Sequence, residues 1–354
     1  MNGASWWVLA LVAWTCWGGL PSCAEPAREV ELADRPMLEP PRLKPGDTIM
    51  FVAPAGDLDK KKMMVAKGRL EARGYQVKMR DDLFAEEGYL AGSDQRRAEE
   101  LMQAFNDPEV QAVFPGTGGY GTMRILDQLD YEVIRAKPKI LIGFSDITGL
   151  HLAINRHARV ITYHTPSPMW GLGNDEGLTP FSERWYWQAL EGGAMAEGYV
   201  IETPAEVPQP VALGKGVSRG RLTGGNLSLI AALEGTAYAI DTRDAILLLE
   251  DTREAPYRID RMLRQLQLNG KLANLRGAVL GQFTKDYDRE DKMTEDPRYL
   301  TNGVLRQYFE PLGVPVLMNF PVGHHKMNAS LPLGGQVEID ADAATLRVLS
   351  LPQH

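Results

Sequence analysis

Lys139-Ile140-Leu141-Ile142-Gly143-Phe144-Ser145-Asp146-Ile147-Thr148 passes from an apolar run straight into helix-forming sequence over Ile147 to Asn155. A strand that turns at once into a helix is the repeating joint of a parallel sheet covered by helices. The same joint recurs upstream. Thr48 to Val52 ends at Ala53-Pro54-Ala55-Gly56, and Lys60 to Arg73 then reads as a helix stopped by Gly74. The strand Tyr75 to Met79, the helix Ser93 to Phe105, the strand Val110 to Phe114, a glycine loop and a helix over Met123 to Leu129 continue the alternation. The expectation is α/β: an N-terminal, mostly parallel domain over residues 43–170.

Beyond it the pattern loosens. Residues 171–206 mix Gly, Pro and aromatics around one helix at Glu183 to Leu190 and read as a connecting segment. Residues 207–354 read as a C-terminal, β-rich α+β domain. Turn-rich β structure around Val211 to Leu222 precedes the buried-type strand Ala245 to Leu249, the amphipathic helix Tyr257 to Leu268 and the strand Gly277 to Gln282. A helix at Val304 to Phe309, a strand at Pro315 to Asn319 and an alternating stretch from Gln336 to Leu349 close the chain. A length of 354 residues, 44% hydrophobic and 24% charged, suits two globular domains. The net charge of -8 argues against a nucleic-acid partner.

Met1 to Ala24 holds no charged residue, and its apolar run from Trp6 to Leu20 is shorter than a membrane span, so residues 1–24 read as an export signal. The expected location is outside the cytoplasm, in the periplasm. Two readings of the junction stand side by side: cleavage after Ser22-Cys23-Ala24, or a lipobox at Leu20-Pro21-Ser22-Cys23 that would lipidate Cys23 and give the only membrane attachment. The n-region lacks the usual Lys or Arg, which leaves an uncleaved anchor or a different start open. Residues 25–42, rich in Pro, Glu and Ala, read as a tether. Both cysteines, Cys16 and Cys23, precede it, so the remaining chain has no thiol for a disulfide, a metal cluster or a nucleophile.

The strand-to-helix joint places Ser145 on a sharp turn with its hydroxyl exposed and the backbone N–H of Asp146 beside it, as a nucleophile with an oxyanion donor requires. The plain alternative is a helix cap, and Ile147 breaks the G-x-S-x-G pattern. Gly116-Thr117-Gly118-Gly119-Tyr120-Gly121 could bring a second donor from Gly118 or Gly119, or be only a tight turn; its spacing is not that of a dinucleotide loop. Leu249-Glu250-Asp251 puts carboxylates at a strand end, where they could enter a cleft, cap a helix or pair with Arg258 or Arg261. Among six histidines, His324 and His325 follow a strand and a glycine, whereas His151 lies on the helix after Ser145, facing away from it, and His157 and His354 read as solvated.

Together these segments resemble the LD-carboxypeptidase, or murein tetrapeptide carboxypeptidase, family. The resemblance runs from Pro45-Gly46-Asp47 through Val52-Ala53-Pro54, Gly118-Gly119-Tyr120-Gly121, Pro138-Lys139, Gly143 to Thr148, Gly224-Gly225-Asn226-Leu227, Leu249-Glu250-Asp251, Tyr257 to Leu263 and Gly323-His324. It implies Ser145 as nucleophile, His324 as base and Glu250 as charge relay, in a cleft between the two domains, commonly in a homodimer. It further implies release of terminal D-alanine from the tetrapeptide stems of peptidoglycan, without metal or organic cofactor. Thr117 replaces a usual Arg, and His164-Thr165-Pro166 a usual His-Gly-Pro, both at the expected border of the cleft. Three rivals remain: a relative hydrolysing another acyl amide, such as a peptidyl-nucleotide, in self-immunity; a zinc peptidase using His164, His324 or His325 with Glu250, although no H-E-x-x-H pair exists; and a murein-binding protein without activity.

Overall fold

The computed structural model describes residues 35–192, 198–205, 209–284, 288 and 295–350. The export segment with Cys16 and Cys23, the start of the tether, and His354 lie outside the described residues. The described residues from Pro36 onward form one compact unit.

Five strands from the N-terminal half are β1 (Thr48–Val52), β2 (Gln76–Lys78), β3 (Val110–Pro115), β4 (Ile140–Gly143) and β5 (Thr162–His164). All pair in parallel, and β1 and β4 are buried along their whole length, which is why they read as continuous apolar runs without alternation. Helices start where side chains cap them. Asp59 accepts from the Lys62 N–H before the helix Lys60–Ala72, and Ser93 from the Arg96 N–H before Asp94–Asn106.

The later strands are β6 (Tyr199–Ile201), β7 (Val211–Leu213), β8 (Val217–Asn226), β9 (Ala245–Thr252), β10 (Gly277–Thr284), β11 (Val316–Met318), β12 (Leu331–Leu333), β13 (Gln336–Asp340) and β14 (Thr345–Val348). The second sheet runs β6-β14-β13-β8-β9-β10-β11-β7, parallel from β8 to β11 and antiparallel at both flanks. The first runs β12-β5-β4-β3-β1-β2, so a strand from the far end of the chain closes the N-terminal sheet, antiparallel to β5. Pro332 is tolerated there because β12 is an edge.

The two sheets share packing. Val52, Leu141 and Leu150 lie in one hydrophobic core with Leu227, Leu249 and Ile259. The helix Pro180–Leu190 adds Tyr186 and Leu190 to the core around β1 and β3, and Phe181 and Trp185 to the core of the second sheet.

One expected helix is absent. Met123 to Leu129 forms two 3-10 turns, Thr122–Arg124 and Leu126–Gln128, and the helix starts only at Tyr131. Asp130 decides this: its side chain accepts from the N–H groups of Glu132 and Val133, fixing the helix start there. A helix missed from sequence, Leu227–Leu233, is capped by Asn226, whose side chain accepts from the Leu229 N–H. The last residues read as tether are tied down, since Leu38 N–H donates to Arg159 O and Ile161 N–H to Leu38 O.

Candidate active site

β4 ends at Gly143, whose φ of 139° no L-residue adopts easily, and the chain turns at Ser145 with φ 63°. A serine in the left-handed region is strained, and here the turn of the chain from β4 into the helix Thr148–Ala153 imposes that conformation. Two contacts fix the turn from below. The Gly143 carbonyl accepts from the Thr165 N–H at 3.1 Å and faces His151 Nε2 at 2.9 Å, while His151 Nδ1 meets Thr162 Oγ1 at 2.9 Å. A ring nitrogen facing a carbonyl must carry its proton, so His151 is the Nε2–H tautomer. Burial pushes its pKa down to about 3 and it stays neutral.

The glycine loop sits directly on this turn. A Cβ on Gly118 would lie 2.9 Å from Ser145 Cβ and 3.0 Å from Asp146 N, so only glycine fits. The loop is held by the Gly56 N–H donating to Gly118 O at 3.0 Å, and by Asp146, whose buried carboxylate accepts from the Thr122 N–H at 2.8 Å. The Thr122 hydroxyl donates in turn to Asp146 O at 2.7 Å. Arg97, fully buried, donates from one guanidinium nitrogen to Pro54 O at 2.6 Å and Gly121 O at 2.9 Å, joining the loop after β1 to the loop after β3.

Glu250 and Asp251, adjacent on β9, point to opposite faces and do different things. Asp251 holds the second domain's own structure, accepting from Asn226 Nδ2 at 3.0 Å and from the Ser228 N–H and hydroxyl at 2.9 and 2.8 Å. Neither carboxylate pairs with Arg258, whose guanidinium lies 3.6 Å from Glu254. Glu250 is fully buried, and its Oε2 lies 2.6 Å from His324 Nδ1. Burial alone would raise the Glu250 pKa, but His324 and His164 beside it hold it at about 2, so it is a carboxylate. Gly323 (φ 110°) makes the approach feasible: a Cβ there would meet Glu250 Oε2 at 2.8 Å.

His324 then stands against the serine turn, its ring centroid 4.9 Å from that of Phe144. His325 turns outward, is exposed and accepts the Met327 N–H on Nδ1. His164 is buried under the site, 4.0 Å from Glu250 Oε1. His157 is not solvated as expected: it is half-buried between Tyr131 and Tyr238, at 5.1 and 5.2 Å between centroids. Among the described residues no three His, Cys, Asp or Glu side chains converge on a metal-sized site.

Beside Gly118 and Gly119 opens a shallow cleft of about 680 Å³ walled by Tyr89, Tyr120, Met169 and Trp170. Thr117 lines it and accepts the Trp170 indole N–H at 2.9 Å; Lys62 Nζ lies 4.0 Å from the centre of the indole ring. Trp170 is a wall that sequence reading missed, since an aromatic in a Gly- and Pro-rich stretch has no periodicity to reveal its direction. Thr165 does not border the cleft: it is fully buried, its hydroxyl bonded to that of Ser330 on the segment leading into β12.

Comparison with known proteins bears on this arrangement. Residues 49–165 match the LD-carboxypeptidase N-terminal domain and residues 219–339 the LD-carboxypeptidase C-terminal domain. A Bacillus subtilis (strain 168) protein named "Probable murein peptide carboxypeptidase" is 36% identical over 309 residues, spanning 87% of this chain and 93% of its own. The crystal structure of a muramoyltetrapeptide carboxypeptidase from Oxalobacter formigenes superposes with a TM-score of 0.73 at 28% identity, over 86% of this chain and 100% of that one. The microcin C7 self immunity protein MccF gives a TM-score of 0.81 over 90% and 100% of the two chains, but at 23% identity this likeness concerns the fold alone. The chain belongs to the LD-carboxypeptidase family, a family of serine carboxypeptidases, and is a hydrolase of that kind.

Proposed function

We propose that this protein is a serine-type LD-carboxypeptidase that releases terminal D-alanine from peptidoglycan tetrapeptide stems, with Ser145 as nucleophile, His324 as base and Glu250 orienting the imidazole. The observation that carries the reading is the coincidence of a strained serine turn, covered by bare Gly118, with a histidine whose Nδ1 is tied to a buried carboxylate. With Nδ1–H donating to Glu250, Nε2 is the basic nitrogen. It takes the Ser145 proton as Oγ attacks the carbonyl between the L-centre of the diamino acid and D-alanine. The oxyanion rests on N–H groups of Asp146 and of Gly118 or Gly119, each worth about 3 kcal/mol in comparable sites. The imidazolium returns the proton to the leaving amine, and water, deprotonated by the same nitrogen, releases the tripeptide from the acyl-enzyme.

The names of the Bacillus and Oxalobacter relatives support the substrate class. Export to the periplasm, cleavage or lipidation at Cys23 and a homodimeric state belong to the same proposal. They are read by the mass of the mature chain and by sedimentation. The deciding experiment incubates the mature protein with a defined tetrapeptide and follows free D-alanine by mass spectrometry; no release refutes the reading. Activity is expected to survive exhaustive EDTA, and loss that zinc restores would favour a metallopeptidase.

A further inference from the structure

Three buried polar atoms around Glu250 have no hydrogen-bond partner: Oε1 of Glu250 itself and both ring nitrogens of His164. Buried carboxylate oxygens and imidazole nitrogens are rarely left so, and when two orphans face each other each is the natural partner of the other. Here Glu250 Oε1 faces His164 Nε2 at 4.0 Å, a gap that a small ring rotation or one bridging water closes. His164 is held for this task by its backbone, paired with Gly143 of β4 on one side and with Leu331 of β12 on the other. Its ring is fully buried, with Phe144 at 6.0 Å between centroids.

We propose that His164, as the neutral Nε2–H tautomer, donates to Glu250 Oε1 and is a positioning residue: it fixes the carboxylate so that Oε2 alone serves His324. The inference rests on the proposed roles of Glu250 and His324. The charged and titratable groups around the pair are few. His324 faces Glu250 from the segment after β11, and Asp251 points to the other face of β9. His151 lies behind β4, neutral and bonded to Gly143 and Thr162. None of them reaches Oε1 with a donor, so His164 is the group that can.

Removing the donor leaves Oε1 unsatisfied. The carboxylate then holds the His324 imidazolium more tightly, which moves the acid limb of kcat/KM to higher pH. His164→Leu keeps bulk and removes the donor; His164→Gln places an amide N–H near the position of Nε2, whereas His164→Asn places it near Nδ1. We expect His164→Leu to lose about tenfold or more in kcat with KM little changed and its acid limb displaced upward, and His164→Gln to recover the wild-type profile. Equal losses in the two variants, or an acid limb unmoved in His164→Leu, would overturn the proposal. If the leucine variant does not fold, the amides decide: a wild-type profile for His164→Gln with a displaced one for His164→Asn supports it, and identical profiles refute it. An assay-independent measurement separates this proposal from the function itself. Nitrogen-15 NMR of the His164 imidazole should show Nε2 protonated and Nδ1 bare, and the opposite tautomer defeats the proposal whatever the wild type does to a tetrapeptide.

Discussion

At the scale of single residues, the φ of 63° at Ser145 has a thermodynamic signature distinct from its chemistry. A non-glycine residue in the left-handed region costs about 1–2 kcal/mol. Ser145→Ala should therefore retain at most a few per cent of activity with the fold intact, and Ser145→Gly should be equally dead yet more stable than the alanine variant. Melting the two side by side checks this, and an alanine variant as stable as the glycine one would show that the turn is unstrained. The neighbouring histidines separate as cleanly. His324 reaches Glu250 and His325 reaches only the Met327 N–H, so His324→Ala should cost on the order of a thousandfold in turnover and His325→Ala far less. A deader His325→Ala would reassign the base. Sequence pointed to Ser145 and His324 because each follows a strand and a glycine, to Glu250 because it ends an apolar strand, and to all three because their order matches a known family. His164 entered as a rival metal ligand and within a motif at the expected cleft border, but without a role beside Glu250, since nothing in His164-Thr165-Pro166 tells which way a side chain at the end of a three-residue strand points.

At the scale of elements, β9, β10 and the segment after β11 converge on one carboxylate. A Cβ on Gly281 of β10 would lie 3.2 Å from Glu250 Cβ, and Gly323 is closer still. The converging backbones enclose a charged side chain whose pKa, about 2, lies below its ordinary value of 4.5. As pH falls from 4.5 towards 2 the unfolded chain binds this proton and the folded one does not, so the stability that Glu250 contributes is present above 4.5 and lost across that window. Glu250→Gln should accordingly show a flatter loss of melting temperature between pH 5 and pH 3, and parallel curves would contradict the assignment. Because Glu250 stays ionised there, the acid loss of activity in the wild type follows protonation of the base. Most long elements were legible from hydrophobic period and caps. The exceptions are physical: Asp130 captured two N–H groups and moved a helix start to Tyr131, and Pro332 hid β12, since a three-residue strand with a proline at its centre has no readable alternation.

At the scale of the whole molecule, β12 on the edge of the first sheet and the helix Pro180–Leu190 in both cores make the halves thermodynamically dependent. Denaturant unfolding should be one transition, coincident by circular dichroism and by tryptophan fluorescence, and a fragment ending at residue 205 should lack a cooperative melt. Two separated transitions would refute the coupling. The connection was invisible in a sequence that divides neatly at its connecting segment, because a strand exchanged between sheets leaves no mark on local period. Its position in the chain has a consequence for biogenesis. The ribosome delivers Ser145 long before Leu331, so the growing polypeptide carries its serine turn on a sheet with one unsealed edge. The proposed centre comes into being only when the last strands arrive, and until then whatever escorts the nascent chain meets a sticky border and a silent enzyme.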